Sequence, residues 1–247
     1  MTTTIDTTTT LGDLVTEHPD LARELDRRGL DYCCGGHRTL DEASRAAGLD
    51  PVVVAGELEA ATTAAGDGEA GWASMGAAEL VDHIVATHHR YLWDELPRLS
   101  ELAGKIALVH GAHHPELREV RAVVDELRAD LEQHMAKEEQ VLFPRIRELA
   151  TTGTMTAFHC GSLASPISVM LIEHDRAGAL LARLRAVSGG YRVPSDGCAS
   201  YQACYDGLAA LEADTHLHVH KENNVLFPEV VRLEDARPAG PPAGAQR

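Results

Sequence analysis

The segment HMAKEEQVLFP, residues 134–144, returns as HVHKENNVLFP at residues 218–228. Seven of the eleven positions are identical, including the His, the Lys, the Glu and the whole Val-Leu-Phe-Pro ending. A His and a Glu four residues apart lie on one face of a helix, with about 5–6 Å between their Cβ atoms. Each copy can therefore present one imidazole and one carboxylate to a single point. Two copies on two helices predict two metal ions, bridged by the carboxylates of Glu138 and Glu222.

The composition of the 247-residue chain indicates an all-α protein. Aromatic residues make up only 4%, and Ala and Leu, which are good helix formers, dominate. The net charge of −16 argues against binding nucleic acid, which needs a basic surface. We find neither an apolar run of about 20 residues nor a signal peptide, so we expect no membrane association and a cytoplasmic location. Five cysteines, an odd number in a chain this long, do not suggest a disulfide framework.

Helix signals and composition divide the chain into five segments. They are a disordered N-terminus (1–10), a small helical domain (11–64), a linker (65–74), a four-helix bundle (75–235) and a disordered tail (236–247). In the small domain we expect Thr10 and Thr39 to cap helices and Gly29 to end one. The bundle is predicted from four long helical patterns, at about 76–103, 115–148, 166–187 and 199–233.

The predicted ligands lie on apolar helix stripes. On the second and fourth long helices these stripes end in Leu131, His134, Glu138 and Val141, and in Thr215, His218, Glu222 and Val225. In both stripes, polar side chains replace apolar ones in an otherwise buried seam. An unpaired buried carboxylate is very costly, so each glutamate needs a cation.

The first and third long helices should add one histidine each. On the third, His174 is the only polar member of its stripe. On the first, His89 lies on a clean apolar stripe, whereas the stripe through His88 runs into charged residues and should face an edge or solvent. The choice of His89 agrees with an internal duplication of the bundle. In its two halves, 45 residues separate His89 from His134 and 44 separate His174 from His218.

Four imidazoles and two bridging carboxylates would give each metal ion two His and two Glu ligands. One or two positions then remain for water, an oxo bridge or a diatomic molecule. Zinc prefers closed tetrahedral sites with thiolates, whereas this mixture with open positions suits iron, with manganese next. We expect most of the other histidines to be solvated or to lie behind the ligands. They are His18, His37, His83, His88, His110, His113, His114, His159, His216 and His220.

Four motifs together resemble the RIC (repair of iron centres) family of di-iron iron–sulfur cluster repair proteins. They are DYCCGG (31–36), HMAKEEQVLFP, PISVMLIEHD (166–175) and HKENNVLFP, and the resemblance covers about residues 10 to 232. It implies a hemerythrin-like bundle with two non-haem iron ions, oxo- or hydroxo-bridged. The family's ligand positions fall on His89, His134, Glu138, His174, His218 and Glu222, with the two glutamates as bridges.

The resemblance also marks Cys33 and Cys34, which we expect in a flexible loop with exposed thiols. Transient thiol chemistry, metal hand-off and a redox switch are the roles we consider for them. Two features depart from the family pattern. The loop 151–165 carries His159 and Cys160, and additional histidines flank His218.

The resemblance implies restoration of iron–sulfur clusters damaged by nitric oxide or oxidants, by supplying iron. Damaged iron–sulfur proteins would then be the partners, and nitric oxide or another diatomic molecule a ligand. Reduction of nitric oxide at the di-iron centre is the alternative, and oxygen binding or sensing ranks third. A homodimer is among the assemblies we consider.

Overall fold

The computed structural model describes residues 4–64, 70–154 and 162–236. Within these ranges the chain forms helices and no strand, apart from one isolated bridge between Thr10 and Thr39. The prediction of an all-α fold is therefore confirmed. None of the described helices is both long and apolar enough to cross a membrane.

Four short helices form the N-terminal part. They are α1 (Leu11–Glu17), α2 (Leu21–Arg27), α3 (Leu40–Ala46) and α4 (Pro51–Ala64). Thr10 caps α1 by accepting a hydrogen bond from the Asp13 amide, and Thr39 caps α3, as predicted. Gly29, with a φ of 66°, follows α2. Its left-handed backbone conformation suits glycine, which has no Cβ to clash.

Residues 5–10 depart from the predicted disorder of the N-terminus. Ile5 is buried in the apolar core of the N-terminal helices, and its amide donates to Glu59 at 2.8 Å. The predicted linker also contains structure, since Ala70–Ser74 is a short 3-10 helix whose Trp72 side chain is buried. The rest of the linker, 65–69, lies outside the described residues, as do 237–247 of the tail.

The bundle consists of four long helical rods, three of which contain a π-helical turn. The rods are α5 (Ala77–Ile84) with α6 (Arg90–His110), α7 (Leu117–Lys137) with α8 (Phe143–Thr152), α9 (Ala164–Val187), and α10 (Ala199–His220) with α11 (Phe227–Asp235). The first rod runs to His110, beyond its predicted end near 103. The helix α6 packs on α7 and α10, and α7 packs on α9. Residues 155–161, including His159 and Cys160, lie outside the described part.

Each π-helical turn lies at a predicted ligand. The turns are Val85–His89, Glu138–Leu142 and Lys221–Leu226. In the second, the Phe143 amide donates to the carbonyl of Glu138, five residues earlier, and Phe227 does the same to Glu222. Proline follows each Phe, and because it has no N–H it cannot donate the next helical hydrogen bond. The Phe-Pro ending of the repeat thus coincides with the change in winding.

The π-helical turns shift the buried stripe by one residue. Val141 is 46% exposed and Leu142 is 2% exposed. Val225 is likewise only half-buried, whereas Leu226 is buried. The prediction that Val141 continues the seam is therefore wrong, because it assumed uninterrupted α-helical spacing.

Two apolar clusters of the bundle interior lie on either side of the predicted ligands along the bundle axis. One fills the long part of the bundle and includes Leu92, Leu131 and Leu211. The other fills the end formed by α5, α8, α11 and the start of α9, and includes Phe143 and Phe227. The polar side chains between them are therefore remote from bulk water.

Candidate metal centre

The structure brings all six predicted ligands together in the bundle interior. Each is at most 3% exposed. They are His89, His134, Glu138, His174, His218 and Glu222. The interior therefore holds two carboxylates and four imidazoles with almost no access to solvent.

The six side chains form two sets of four that share both glutamates. In the first set, His89 Nε2 lies 3.4 Å from Glu138 Oε2, and His218 Nε2 lies 3.1 Å from Glu222 Oε1. The Nε2 atoms of these two histidines are 3.2 Å apart. Within the set, the candidate ligand atoms all lie within 4.8 Å of one another. One ion can therefore reach all four groups.

The second set repeats this arrangement with the other two histidines. His134 Nε2 lies 3.3 Å from Glu138 Oε2, and His174 Nε2 lies 3.1 Å from Glu222 Oε2. The two Nε2 atoms are 3.0 Å apart, and the four groups again lie within 4.8 Å. Since both glutamates belong to both sets, their carboxylates are placed to bridge two ions, which is the role that the sequence predicts for them.

The carboxylates need a positive partner. Both oxygens of Glu138 and Oε2 of Glu222 are buried and make no hydrogen bond within the described part of the chain. Burial is the largest effect on the pKa of Glu138 and acts to raise it, but electrostatic attraction to the imidazoles, that of His134 above all, brings the pKa to about 2. The pKa of Glu222 is also held well below its usual range, against the effect of burial. Two buried anions side by side, with unsatisfied oxygens facing four imidazoles, fit a site for metal cations.

Three of the four histidines are oriented by a polar side chain on Nδ1. Glu139 lies 2.9 Å from His89 Nδ1, and Glu173 lies 2.9 Å from His134 Nδ1. Such partners fix the ring orientation and leave Nε2 free to bind metal. Helical periodicity did not predict these partners, although each stands directly beside a predicted ligand in the chain.

The other two histidines differ from each other at Nδ1. Asn223 Oδ1 lies 2.7 Å from His174 Nδ1. His218 Nδ1 makes no hydrogen bond within residues 4–64, 70–154 and 162–236. Its ring instead stacks on His88, with centroids 5.4 Å apart and planes at 6°.

The expectation that His88 faces an edge or solvent is wrong, since this side chain is 2% exposed. The π-helical turn Val85–His89 changes the helical spacing on which the expectation rested, and both His88 and His89 lie on the buried side. His88 Nδ1 lies 2.8 Å from Asp214 Oδ1, and its Nε2 lies 2.9 Å from the ammonium of the buried Lys221. Its two ring nitrogens thus have other partners, while His89 points at the glutamates.

The loop that carries Cys33 and Cys34 is well packed. Cys33 is 6% exposed and Cys34 is half-buried, so the expectation of two exposed thiols is wrong. The two Sγ atoms are 3.9 Å apart. The hydrogen bond to Cys34, together with burial, raises the pKa of the Cys33 thiol. All four cysteines in the described part are free.

Two asparagines of the second repeat dock this loop on the bundle. The side-chain amide of Asn224 donates to the carbonyls of Tyr32 and Cys33, at 3.2 and 3.1 Å. The Asn223 amide also donates to the Cys33 carbonyl, at 3.3 Å, while its Oδ1 binds His174. A Cβ at Gly36 would lie 2.5 Å from Asn224 Oδ1, so this close approach requires glycine.

The extra histidines near the second motif also contact the N-terminal part. His216 Nδ1 lies 2.8 Å from Asp26, and the ring of the buried His220 meets Tyr32 and Trp72 edge to face. These two histidines therefore serve the contact between the N-terminal helices and α10 rather than the cluster of ligands.

Comparisons with known proteins agree with this arrangement. The hemerythrin HHE cation-binding domain matches residues 80–230, and the ScdA_N domain, of unknown function, matches residues 7–62. The iron–sulfur cluster repair protein YtfE of Escherichia coli O8 (strain IAI1) is 34% identical over 224 residues, which cover 91% of this chain and 97% of that protein. The proteins of the same name from Enterobacter sp. (strain 638) and Shigella boydii serotype 4 (strain Sb227) are 35% and 34% identical over the same shares. The chain therefore belongs to the family of iron–sulfur cluster repair proteins with a hemerythrin domain, as its motifs predicted.

Proposed function

We propose that this protein holds two iron ions and repairs damaged iron–sulfur clusters by donating iron. The single observation that supports this most directly is the pair of four-ligand sets that share Glu138 and Glu222. Relatives that this chain matches over 97% of their length are named iron–sulfur cluster repair proteins. Iron–sulfur proteins with damaged clusters are then the partners of this chain.

The donor set favours iron. Each ion would receive two imidazole nitrogens and two carboxylate oxygens and would keep open positions. Imidazole and carboxylate suit iron, whereas structural zinc sites are closed and rich in thiolate. An oxo or hydroxo bridge would fill one open position. The iron would be both the protein's own metal and the ion that it transfers to an iron–sulfur cluster that has lost iron.

The chain's own residues orient the ligands. Glu139, Glu173 and Asn223 keep three imidazoles turned toward the carboxylates. The imidazole nitrogens lie 3.1–3.4 Å from the carboxylate oxygens, so all six groups are in position to hold the iron that the protein would donate.

The cysteines favour a reducing compartment, in line with a proposed place in the cytoplasm. Cys33 and Cys34 are adjacent and free, and free thiols persist where disulfides are kept reduced.

The test is iron transfer from the whole protein. Protein loaded with ferrous iron is incubated, without oxygen, with an iron–sulfur protein whose cluster has been destroyed by nitric oxide, together with sulfide and reductant. We expect the cluster's absorption to return while the iron content of the donor falls by the matching amount. The control is protein in which Glu138 and Glu222 are both replaced by Ala, mixed with the same total iron and a chelator that traps free ions.

Two outcomes would contradict the proposal. If iron stays on the donor while the acceptor remains inactive, the proposal of repair by iron donation is refuted. Steady production of nitrous oxide from nitric oxide over many turnovers, with no loss of iron, would make the protein a nitric oxide reductase instead.

A further inference from the structure

We propose that Asp31, Cys33 and Cys34 form a second metal site, separate from the binuclear centre, which binds one divalent transition-metal ion. The carboxylate and the two thiols offer three ligand atoms within 4.8 Å of one another. Binding would exchange the two thiol protons for the ion. That the ion is Fe2+ passing between the binuclear centre and an acceptor rests on the proposed function, whereas the site itself does not.

The spacing of the ligand atoms matches that of a tetrahedral metal. Two sulfurs at about 2.3 Å from a metal, with a tetrahedral angle between them, stand about 3.8 Å apart. The Sγ atoms of Cys33 and Cys34 are 3.9 Å apart. A carboxylate oxygen at about 2.1 Å would stand about 3.6 Å from such a sulfur, and Asp31 Oδ1 lies 3.3 Å from Cys33 Sγ. The ligands can therefore close on an ion with movements of a few tenths of an ångström.

The loop is fixed in this arrangement by its own backbone. Asp31 Oδ1 accepts hydrogen bonds from the amides of Cys33 and Cys34, at 3.1 and 2.9 Å, which holds the carboxylate beside the two thiols. A Cβ at Gly35 would lie 2.8 Å from the Asp31 carbonyl, so the tight turn depends on glycine there. A site whose ligands are already in place loses little free energy in ordering them.

A cavity of about 300 Å³ gives access to the thiols. Helix α9 lines the cavity opposite Cys34, and a Cβ at Gly178 would lie 3.9 Å from the Cys34 sulfur, in ordinary van der Waals contact. At about 30 Å³ for each water, the cavity has room for a hydrated ion or for a partner's side chain.

The charge of the cavity favours a cation. Acidic residues of three helices and of the loop line it, namely Asp26, Asp31, Asp175 and Glu212. Arg185 and His216 also line it and are paired with Glu212 and Asp26, so the acidic side chains outnumber the basic ones. Concave surfaces lined by one sign of charge concentrate ions of the opposite sign. Cys204 provides a contrast, because it packs among apolar side chains of the bundle core and burial raises its pKa to about 12.

The dithiol loop is also connected to the binuclear centre. The Cys33 carbonyl accepts from the Asn223 amide, whose oxygen lies 2.7 Å from Nδ1 of His174. One side chain thus contacts both the loop that would bind the second ion and a candidate ligand of the first pair.

Cobalt provides the test, because only a thiolate ligand gives the intense sulfur-to-Co2+ charge-transfer absorption in the near ultraviolet. The binuclear centre offers nitrogen and oxygen alone, so Co2+ bound there is silent in this region. The full chain is reduced with a non-thiol reductant and titrated with Co2+. We expect the band to reach the intensity of one thiolate-bound ion per chain once Co2+ is in excess of all sites, and to disappear in Cys33→Ser and in Cys34→Ser.

Two further variants sharpen the result. Asp31→Asn keeps the oxygen that accepts the two amides and removes the charge, so we expect cobalt affinity at the dithiol to fall about tenfold or more. Cys198→Ser removes an exposed thiol beside His110 and should leave the band unchanged. Circular dichroism of each variant checks that the helices remain.

The outcomes separate this proposal from the proposed function. A band that survives in folded Cys33→Ser, or that is missing in the wild type, would refute the dithiol site even if iron transfer proceeds. A band that follows the predicted pattern supports the site even if the protein donates no iron.

Discussion

The proposed binuclear centre predicts a large effect of Glu222→Ala on metal binding and on metal-dependent stability. Glu222 contributes to both four-ligand sets, so the substitution leaves each ion with three protein ligands. Loss of an outer partner of a metal ligand costs about 10–100-fold in affinity, so loss of a shared ligand should cost at least about 100-fold for each ion. At an iron concentration of about 100 times the wild-type Kd, each bound ion stabilises the fold by about 2.7 kcal/mol, and in the variant by about 0.4 kcal/mol.

Over two ions the difference is about 4–5 kcal/mol. For a domain of 150–250 residues this corresponds to about 10–20 °C in melting temperature. The assay is scanning calorimetry of the wild type and the variant with and without Fe2+, under anaerobic conditions, together with iron analysis. We expect bound iron to fall from about two ions per chain to about one or fewer, and the iron-dependent rise in melting temperature nearly to vanish.

Glu212→Ala is the matched control for this experiment. Glu212 lies on the same rod as Glu222, is 3% exposed, and forms an ion pair with Arg185 at 2.6 Å, away from the ligand cluster. Its loss should lower stability by about 1.5–3 kcal/mol with or without iron and leave the iron content unchanged. If Glu222→Ala keeps two ions and the full iron-dependent stabilisation, the assignment of Glu222 as a shared ligand is refuted.

Three further predictions follow from individual contacts. Asn223→Ala should lower iron affinity about 10–100-fold in chelator competition, because the histidine it orients loses its Nδ1 partner. The hydrogen bond from His110 lowers the pKa of Cys198 to about 7. His110→Ala should therefore slow alkylation of Cys198 at neutral pH about fivefold, measured by mass spectrometry. This figure includes the higher nucleophilicity of the more basic thiolate, which offsets part of the loss of thiolate. Leu142→Ala should lower the free energy of unfolding by about 2–5 kcal/mol, because the side chain is buried. Val141→Asp should lower it by less than about 0.5 kcal/mol, because Val141 is 46% exposed. Urea unfolding measures both.

Helical periodicity was sufficient to bring the six ligands together. His134 with Glu138, and His218 with Glu222, are one helical turn apart. This spacing survives because the π-helical turns begin only at Glu138 and at Lys221, where each four-residue spacing ends. Beyond that point the period changes, so residues such as Val141 were misplaced. In a π-helical turn the hydrogen bonds join residues five apart rather than four, and a search for a period of 3.6 residues does not detect it.

His88 shows the same limit at the first rod. Its stripe looked solvent-facing because, at regular α-helical spacing, it continues into the charged residues Glu95 and Arg98. The π-helical turn changes that spacing, and His88 belongs to a buried network with Asp214 and Lys221. Those partners are more than a hundred residues away in the chain, so no pattern local to the first helix could predict the network.

The asymmetry between the two repeats can be explained by the residue that follows each of the two glutamates shared by the four-ligand sets. Glu139 and Asn223 occupy equivalent positions and do the same local task, since each binds Nδ1 of the histidine on the preceding rod, His89 or His174. A carboxylate can only accept hydrogen bonds, whereas an amide also donates. Asn223 uses this second capacity to reach the carbonyl of Cys33. Asparagine in the second copy therefore joins the dithiol loop to the metal centre, a connection that glutamate in the first copy could not make.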